Sequence, residues 1–240
     1  MTSKFFMSVL VPCSILLPII IALLKLKQLP AGAKIIFYYL LVSAVISAAA
    51  VFMGRVLHMN NLPLIHLYTA LEIIFFCRFY KEILQQKRAE AKISTAGNSR
   101  DIISSSFPEQ DDAVKNNFLS LWLPLLFVLL CIINAVFFQS IYTYSSYTRS
   151  VEALICIVLA LNYFARLAAG DGGKKTISRP ELYFNSGIFL YFSGAFMLFV
   201  FSNFIINSSH HNYAIIWVIH AALVLCMYLF FSAAFLLCKK

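Results

Sequence analysis

The chain has 240 residues, 61% of them hydrophobic and only 12% charged, with a formal charge of +9 and a mean hydropathy of +0.83. A water-soluble fold cannot hide that much apolar surface, so the composition excludes an ordinary soluble domain. Nor does the positive charge point to nucleic acid, because the basic residues fall in short clusters at the ends of apolar runs, which is a topology signal.

The first apolar run, 5–24, follows Lys4 and contains Pro12 and Pro18. It is nearer a span than a signal-peptide core and has no A-x-A-like cleavage site, so it reads as a retained helix. Further runs occupy 35–54, 62–80, 118–138, 151–169, 182–205 and 214–238. About 20 helical residues cross a hydrocarbon core about 30 Å thick, and each run is long enough to do so. The expectation is an all-α polytopic membrane protein, a single transmembrane domain over 1–240 built as a bundle of seven helices. Asn60 and Asn61 ahead of Pro63, Ser150 ahead of Val151, and the capping-box pattern Ser178-Arg179-Pro180-Glu181 mark helix starts. Basic residues near span ends are retained on the cytoplasmic face. With the N-terminus outside and the C-terminus in the cytoplasm, only Lys4, Arg55 and Arg149 of the 19 Lys and Arg residues fall on the outer side.

The one sizeable polar segment is 81–117. Its first part, 81–92, is rich in helix formers and is expected to prolong the third span into the cytoplasm. The remainder, with Gly97, Asn98, Ser104-Ser105-Ser106 and Pro108, reads as a flexible cytoplasmic loop. Two readings stand for the segment: a solvated loop, or a docking site for a cytoplasmic signalling protein through Lys81, Lys87, Arg88 and Lys92.

Glu72 falls near the middle of the third span. There an acid opposes insertion by about 3 kcal/mol, against roughly −3 to −6 kcal/mol from the ten Leu, Ile and Phe residues of 62–80. The span is marginal alone, so Glu72 should turn toward neighbouring helices, either as a structural acid bonded to one of them or as a functional group. Depth along the spans places His66, Asn134, Glu152, Asn203 and His220 in the outer half, with Tyr68 one turn before Glu72 on the same face. Together these residues are expected to line an outward-facing, water-filled pocket floored by Glu72. Each has a plainer role: Glu152 suits the positive end of its helix dipole, and His66 or His220 can bond a backbone carbonyl or sit at the headgroups. Toward the inner face, Asn162, Arg166 and Asn185 are expected to order helix ends and anchor to headgroups.

Metal and catalytic chemistry find little support. His66 and Glu72, six residues apart, point about 120° apart around a helix and stand about 9 Å apart along it. There is no H-x-x-x-H, H-E-x-x-H, G-x-S-x-G or phosphate-binding glycine loop, so no metal, cofactor or catalytic group is expected. The last span has no interior lysine for a retinal Schiff base. Six cysteines without a C-x-x-C pair read as buried small hydrophobes. Ser43 with Ser47, Ala44 with Ala48, and Gly187 with Gly194 mark helix-contact faces.

The stretch from Asn61 through Pro63, His66 and Tyr68 to Glu72, and that from Tyr183 through Asn185, Gly187 and Tyr191 to Gly194, resemble motifs of uncharacterised multi-pass membrane proteins of the Bacteroidota. The resemblance implies a bacterial inner membrane and adds weight to His66, Tyr68, Glu72 and Asn185. The 81–117 insertion departs from it.

The first functional expectation is a receptor-like or sensory module that binds something at the outer pocket and passes a helix shift to a cytoplasmic partner. The second is a small-solute or proton-coupled transporter or channel subunit with Glu72 as relay, and the third an accessory subunit of a membrane complex. Expected partners are the lipid bilayer, a cytoplasmic signalling protein and a second copy of the chain, but no nucleic acid.

Overall fold

A computed structural model of the chain describes residues 10–96, 121–168, 180–208 and 210–238, with the side chains of 86–96, 203 and 205–216 outside that description. All regular structure among the described residues is helical. α1 combines Val11–Ser14 with Leu16–Leu24. It breaks at Ile15 because Pro18 has no N–H to offer the Ser14 carbonyl. α2 is Ala31–Arg55 and α3 is Leu62–Ala96. α4 is Leu123–Ile133, continued by a wide turn at Asn134–Phe138 in which Gln139 N–H donates five residues back to the Asn134 carbonyl at 2.8 Å. α5 is Ser146–Ala168, α6 Pro180–Ser208 and α7 His210–Leu237.

Five of these helices are long and apolar enough to cross a membrane, within Ala31–Arg55, Leu62–Gln85, Ser146–Ala168, Pro180–Ser202 and Trp217–Leu237. Val11–Leu24 and Leu123–Phe138 are apolar but shorter. Large apolar side chains cover the outside of the bundle, with Leu24 81% and Phe137 76% exposed. Water does not tolerate contiguous apolar surface on that scale. The chain is an integral membrane protein.

Helix starts follow local hydrogen bonding. Asn60 Oδ1 accepts from Leu62 N–H at 2.9 Å, as the paired asparagines ahead of Pro63 predict. α5 begins five residues earlier than its apolar run. Gln139 Oε1 accepts from Tyr147 N–H at 3.3 Å while its amide donates to Ser146 Oγ at 2.8 Å, so a residue from before the helix caps it. Ser150 is then an interior residue that donates back to the Ser146 carbonyl at 2.7 Å. The consequence is large, because Arg149 now belongs to the first turn of α5 rather than to a loop. α3 continues through 81–92 to Ala96. Residues 97–117, with Ser178 and Arg179, lie outside the described residues.

In lipid there is little hydrophobic force between helices, so close packing and interhelical polar contacts decide the arrangement. α6 lies between α5 and α7, α7 returns to α1, α1 meets α2, and α2 runs along α3, which also meets α5. These six close a ring. α4 stands outside it, against α3 and α5. The ring's interior, toward the end where α3, α5 and α7 finish, is filled by buried aromatic side chains. Phe76 meets Phe192 edge to face at 5.6 Å, and Phe184 meets Phe79, Phe231 and Phe235 at 5.9, 5.5 and 5.0 Å. Each such pair contributes about 0.5–1.5 kcal/mol beyond burial.

At that same end Lys25 reaches from the close of α1 to the close of α7. Its ammonium donates to the Leu236 carbonyl and, at 3.1 Å, to the Cys238 carbonyl. A cation there satisfies carbonyls that have no partner within the helix and suits the negative end of the dipole. Lys25→Met should cost about 0.5–1 kcal/mol and speed amide exchange over the last turn of α7 while leaving the first turn of α5 unchanged. Unaltered exchange at Leu236 and Leu237 would show that the contact does not hold the helix end.

Candidate functional site

At the other end of the ring, above the aromatic filling, the structure gathers charged side chains. α3 presents Tyr68 and Glu72 one turn apart on one face, and the Tyr68 hydroxyl donates to Glu72 Oε1 at 2.9 Å. From α2, the Tyr39 hydroxyl donates to the same oxygen at 2.6 Å and stands 2.8 Å from the Tyr68 hydroxyl, while Ser43 Oγ donates to Tyr68 at 3.4 Å. From the first turn of α5, Arg149 Nη1 donates to Glu72 Oε2 at 2.6 Å and to Glu152 Oε2 at 2.7 Å. One guanidinium thus holds two carboxylates, one on its own helix and one on α3. All three are removed from solvent, at 1% exposure for Glu72, 5% for Arg149 and 0% for Glu152.

Two further helices complete the network. Arg149 Nη2 donates to the Tyr191 hydroxyl of α6 at 3.2 Å, and that hydroxyl lies 3.2 Å from His220 Nε2 of α7. A guanidinium only donates, so the tyrosine proton is free for the histidine, which makes Nε2 an acceptor and puts the imidazole proton on Nδ1. The Arg149 guanidinium also lies over Phe199 at 4.8 Å and Tyr68 at 5.6 Å from the ring centroids. Those distances allow cation–π attraction of up to about 2 kcal/mol when desolvated. Tyr144, just before α5, meets Trp217 edge to face at 5.7 Å. Burial raises the Tyr144 phenol above its ordinary range, partly offset by Arg149, so it faces the cluster uncharged.

Polar capacity remains unused inside this cluster. Glu152 Oε1, Arg149 Nε and Ser145 Oγ are buried without a hydrogen-bond partner among the described residues. A bare carboxylate oxygen and a bare guanidinium N–H in a protein interior are expensive, which singles the cluster out from the many satisfied polar groups elsewhere.

Of the residues expected to line the outer pocket, Glu72, Tyr68, Glu152 and His220 meet here. They meet as a closed, ion-paired cluster in which Arg149 occupies the middle. His66 is elsewhere: its Nε2 lies 3.1 Å from the Thr143 carbonyl, and Asn60 donates to the Tyr142 carbonyl at 3.1 Å, so the start of α3 is latched to the loop that leads into α5. Asn134 donates to Gln139 Oε1 at 3.2 Å and so supports the cap of α5. It also borders an apolar groove of about 750 Å³ between α4 and α5, lined by Leu126, Leu130, Phe138 and Val151 among others. The Asn203 side chain lies outside the described residues, as do those of Lys87, Arg88 and Lys92, while Lys81 is half-buried on α3.

Three members of the network, Tyr39, Arg149 and Tyr191, are not among the residues expected from the sequence. Arg149 counts there as an outer loop residue, although the Arg149-x-x-Glu152 spacing within one helical turn is a signal that would have paired it. Asn185 also differs from expectation. It is 0% exposed, accepts from the Tyr80 hydroxyl at 2.8 Å and donates to the Ala160 carbonyl at 3.3 Å, which ties α6 to α3 and α5 rather than to headgroups. Among the described residues no three His, Cys, Asp or Glu side chains converge as a metal site would require.

No protein-family model matches the chain, and no curated protein or solved structure matches it either.

Proposed function

We propose that the chain is a receptor-like or sensory module of a bacterial inner membrane, with seven spanning helices, its N-terminus outside and its C-terminus in the cytoplasm. The Glu72–Arg149–Glu152 cluster is its moving part. A ligand reaching the outer end rearranges the cluster, and α3 carries the displacement to a cytoplasmic partner. The observation that carries this reading is the continuity of α3, one 35-residue helix that bears Glu72 and runs on to Ala96. At about 1.5 Å per residue it is about 50 Å long, roughly 20 Å more than a hydrocarbon core. A rod of that kind moves its far end when its near end is released from Arg149. Lys81, Lys87, Arg88 and Lys92 would meet the partner.

Cross-linking from the far end of α3 in intact membranes tests it. A cytoplasmic protein should be captured, capture should fall when Lys81, Lys87, Arg88 and Lys92 are replaced by Ala, and Glu72→Gln, about 30 Å away along the helix, should change it as well. Capture indifferent to both variants removes the sensory reading.

A second reading, a proton-coupled small-solute transporter, is favoured by one feature: two buried carboxylates share a single guanidinium, a set that is neutral only with a proton bound. Purified protein in liposomes would then show pH-dependent flux that Glu72→Gln abolishes, and the absence of any flux removes this alternative.

A further inference from the structure

The two carboxylates of the cluster are not equivalent. Glu72 accepts from Tyr39, Tyr68 and Arg149. Glu152 accepts from Arg149 alone, and its Oε1, fully buried, meets no donor among the described residues. Three donors favour an ionised carboxylate, while a bare oxygen in the interior disfavours one. Among the described residues the neighbours supply no second cation. Glu152 is faced from α3 by Glu72 and the Cys77 thiol, from α4 by the Cys131 thiol, from α5 by Arg149 and the Cys156 thiol, from α6 by the Tyr191 phenol, and from the preceding loop by Tyr144. His220, farther along the network, accepts through Nε2 and adds no charge. Two environments that drive a pair of acids apart assign one as the charged partner and the other as the acid.

We propose that Glu152 is a proton-binding site: it holds one proton on the carboxyl group whose Oε1 lacks a donor, and Glu72 is the ionised partner of Arg149. Release breaks the O–H bond of Glu152, passes the proton to water at the outer end of the bundle and leaves a second anion beside Glu72. Arg149 then divides between two negative charges on two helices, and the tie between α3 and α5 weakens. The proton's place follows from the cluster alone. Its use as a trigger rests on the sensory reading above, where binding of a cationic ligand at the outer end would drive the release.

The test uses the purified full-length protein in detergent, without ligand, by infrared spectroscopy in H₂O and D₂O at neutral pH. The wild type should show the carbonyl stretch of a carboxylic acid, shifted in D₂O. Glu152→Gln should lack that band and melt within about 2 °C of the wild type, because a neutral amide replaces a neutral acid of nearly the same shape. A wild type without the band overturns the proposal, as does a band that persists in Glu152→Gln. A Glu152→Gln protein that fails to fold or melts more than about 5 °C lower overturns it too, because the position would then require an anion. None of these outcomes bears on capture of a partner by α3, so the proton site and the sensory reading fail separately.

Discussion

Replacing Arg149 by Met should cost the folded protein about 3–5 kcal/mol when unfolding is followed in mixed detergent near neutral pH. The magnitude comes from what is left behind. Glu72 and Glu152 are 1% and 0% exposed, and among the described residues Arg149 is the one cation that touches either. Removing it strands a carboxylate in a low-dielectric interior and also empties the space over Phe199 and Tyr68. Arg149→Lys should recover only part of the loss, since a single ammonium cannot copy a planar fork that reaches Glu72, Glu152 and Tyr191 together. The sign reverses in another background. With Glu72→Gln and Glu152→Gln already present, Arg149 is itself a lone buried charge, so Arg149→Met should then stabilise. A cost below about 1 kcal/mol in the wild-type background, typical of an exposed ion pair, would mean that water reaches the cluster, and the closed network would have to be abandoned.

The second large effect lies on the seam between α6 and α7, which pack along much of their length. A Cβ at Gly187 would sit 2.9 Å from Phe230 Cβ, 3.2 Å from a ring carbon of Phe231 and 3.4 Å from the Met227 carbonyl oxygen. Two of those atoms are backbone or fixed to it, so the helices must part. Gly187→Ala should therefore destabilise by about 1–3 kcal/mol, the usual range for overpacking, and Gly187→Val by more. At Gly194 the approach is shorter, 2.7 Å, but the atoms met are the terminal methyls of Leu223, which can rotate away. Alanine gains about 1 kcal/mol over glycine in helix propensity, enough to offset a rotamer change at 194 but not a helix shift at 187. Thermal midpoints of the two Ala variants would decide it. Equal losses, or a greater loss at 194, would mean that the α6–α7 distance is not set by Gly187.

The two effects concern the same architecture at different depths. Gly187 lets α6 and α7 approach beside the aromatic filling, where Phe184 meets Phe231 and Phe235. That filling closes one end of the ring. The polar network occupies the other end, and α3, α6 and α7 contribute to both. Under the proposed sensory reading, a rearrangement of Arg149 would act on helices that also pack together at their far ends, so tilting about the aromatic layer would be favoured over separation of the bundle.

Runs of 19 to 25 apolar residues, broken by short basic clusters, determine by themselves that the chain is helical and lies in a bilayer. No other structure satisfies a backbone in hydrocarbon without a closed barrel. The same logic marks Glu72, because an acid in the middle of such a run must face protein, and helical spacing sets Tyr68 beside it. What surrounds Glu72 was decided only by the tertiary structure. Tyr39 and Tyr191 are two of 12 tyrosines, and nothing in their spacing says which of them turn inward. Rotation of α2 and α6 about their axes does. Arg149 is the sharpest case: whether it is a loop cation at the surface or the centre of a buried network depends on where α5 begins. That point is set by Gln139, a side chain from outside the helix, capping Ser146 and Tyr147. Local pattern carries composition and period, but a charge is drawn into the interior only when partners from other helices converge on it, here Glu72 and Tyr68 of α3 with Tyr191 and Phe199 of α6.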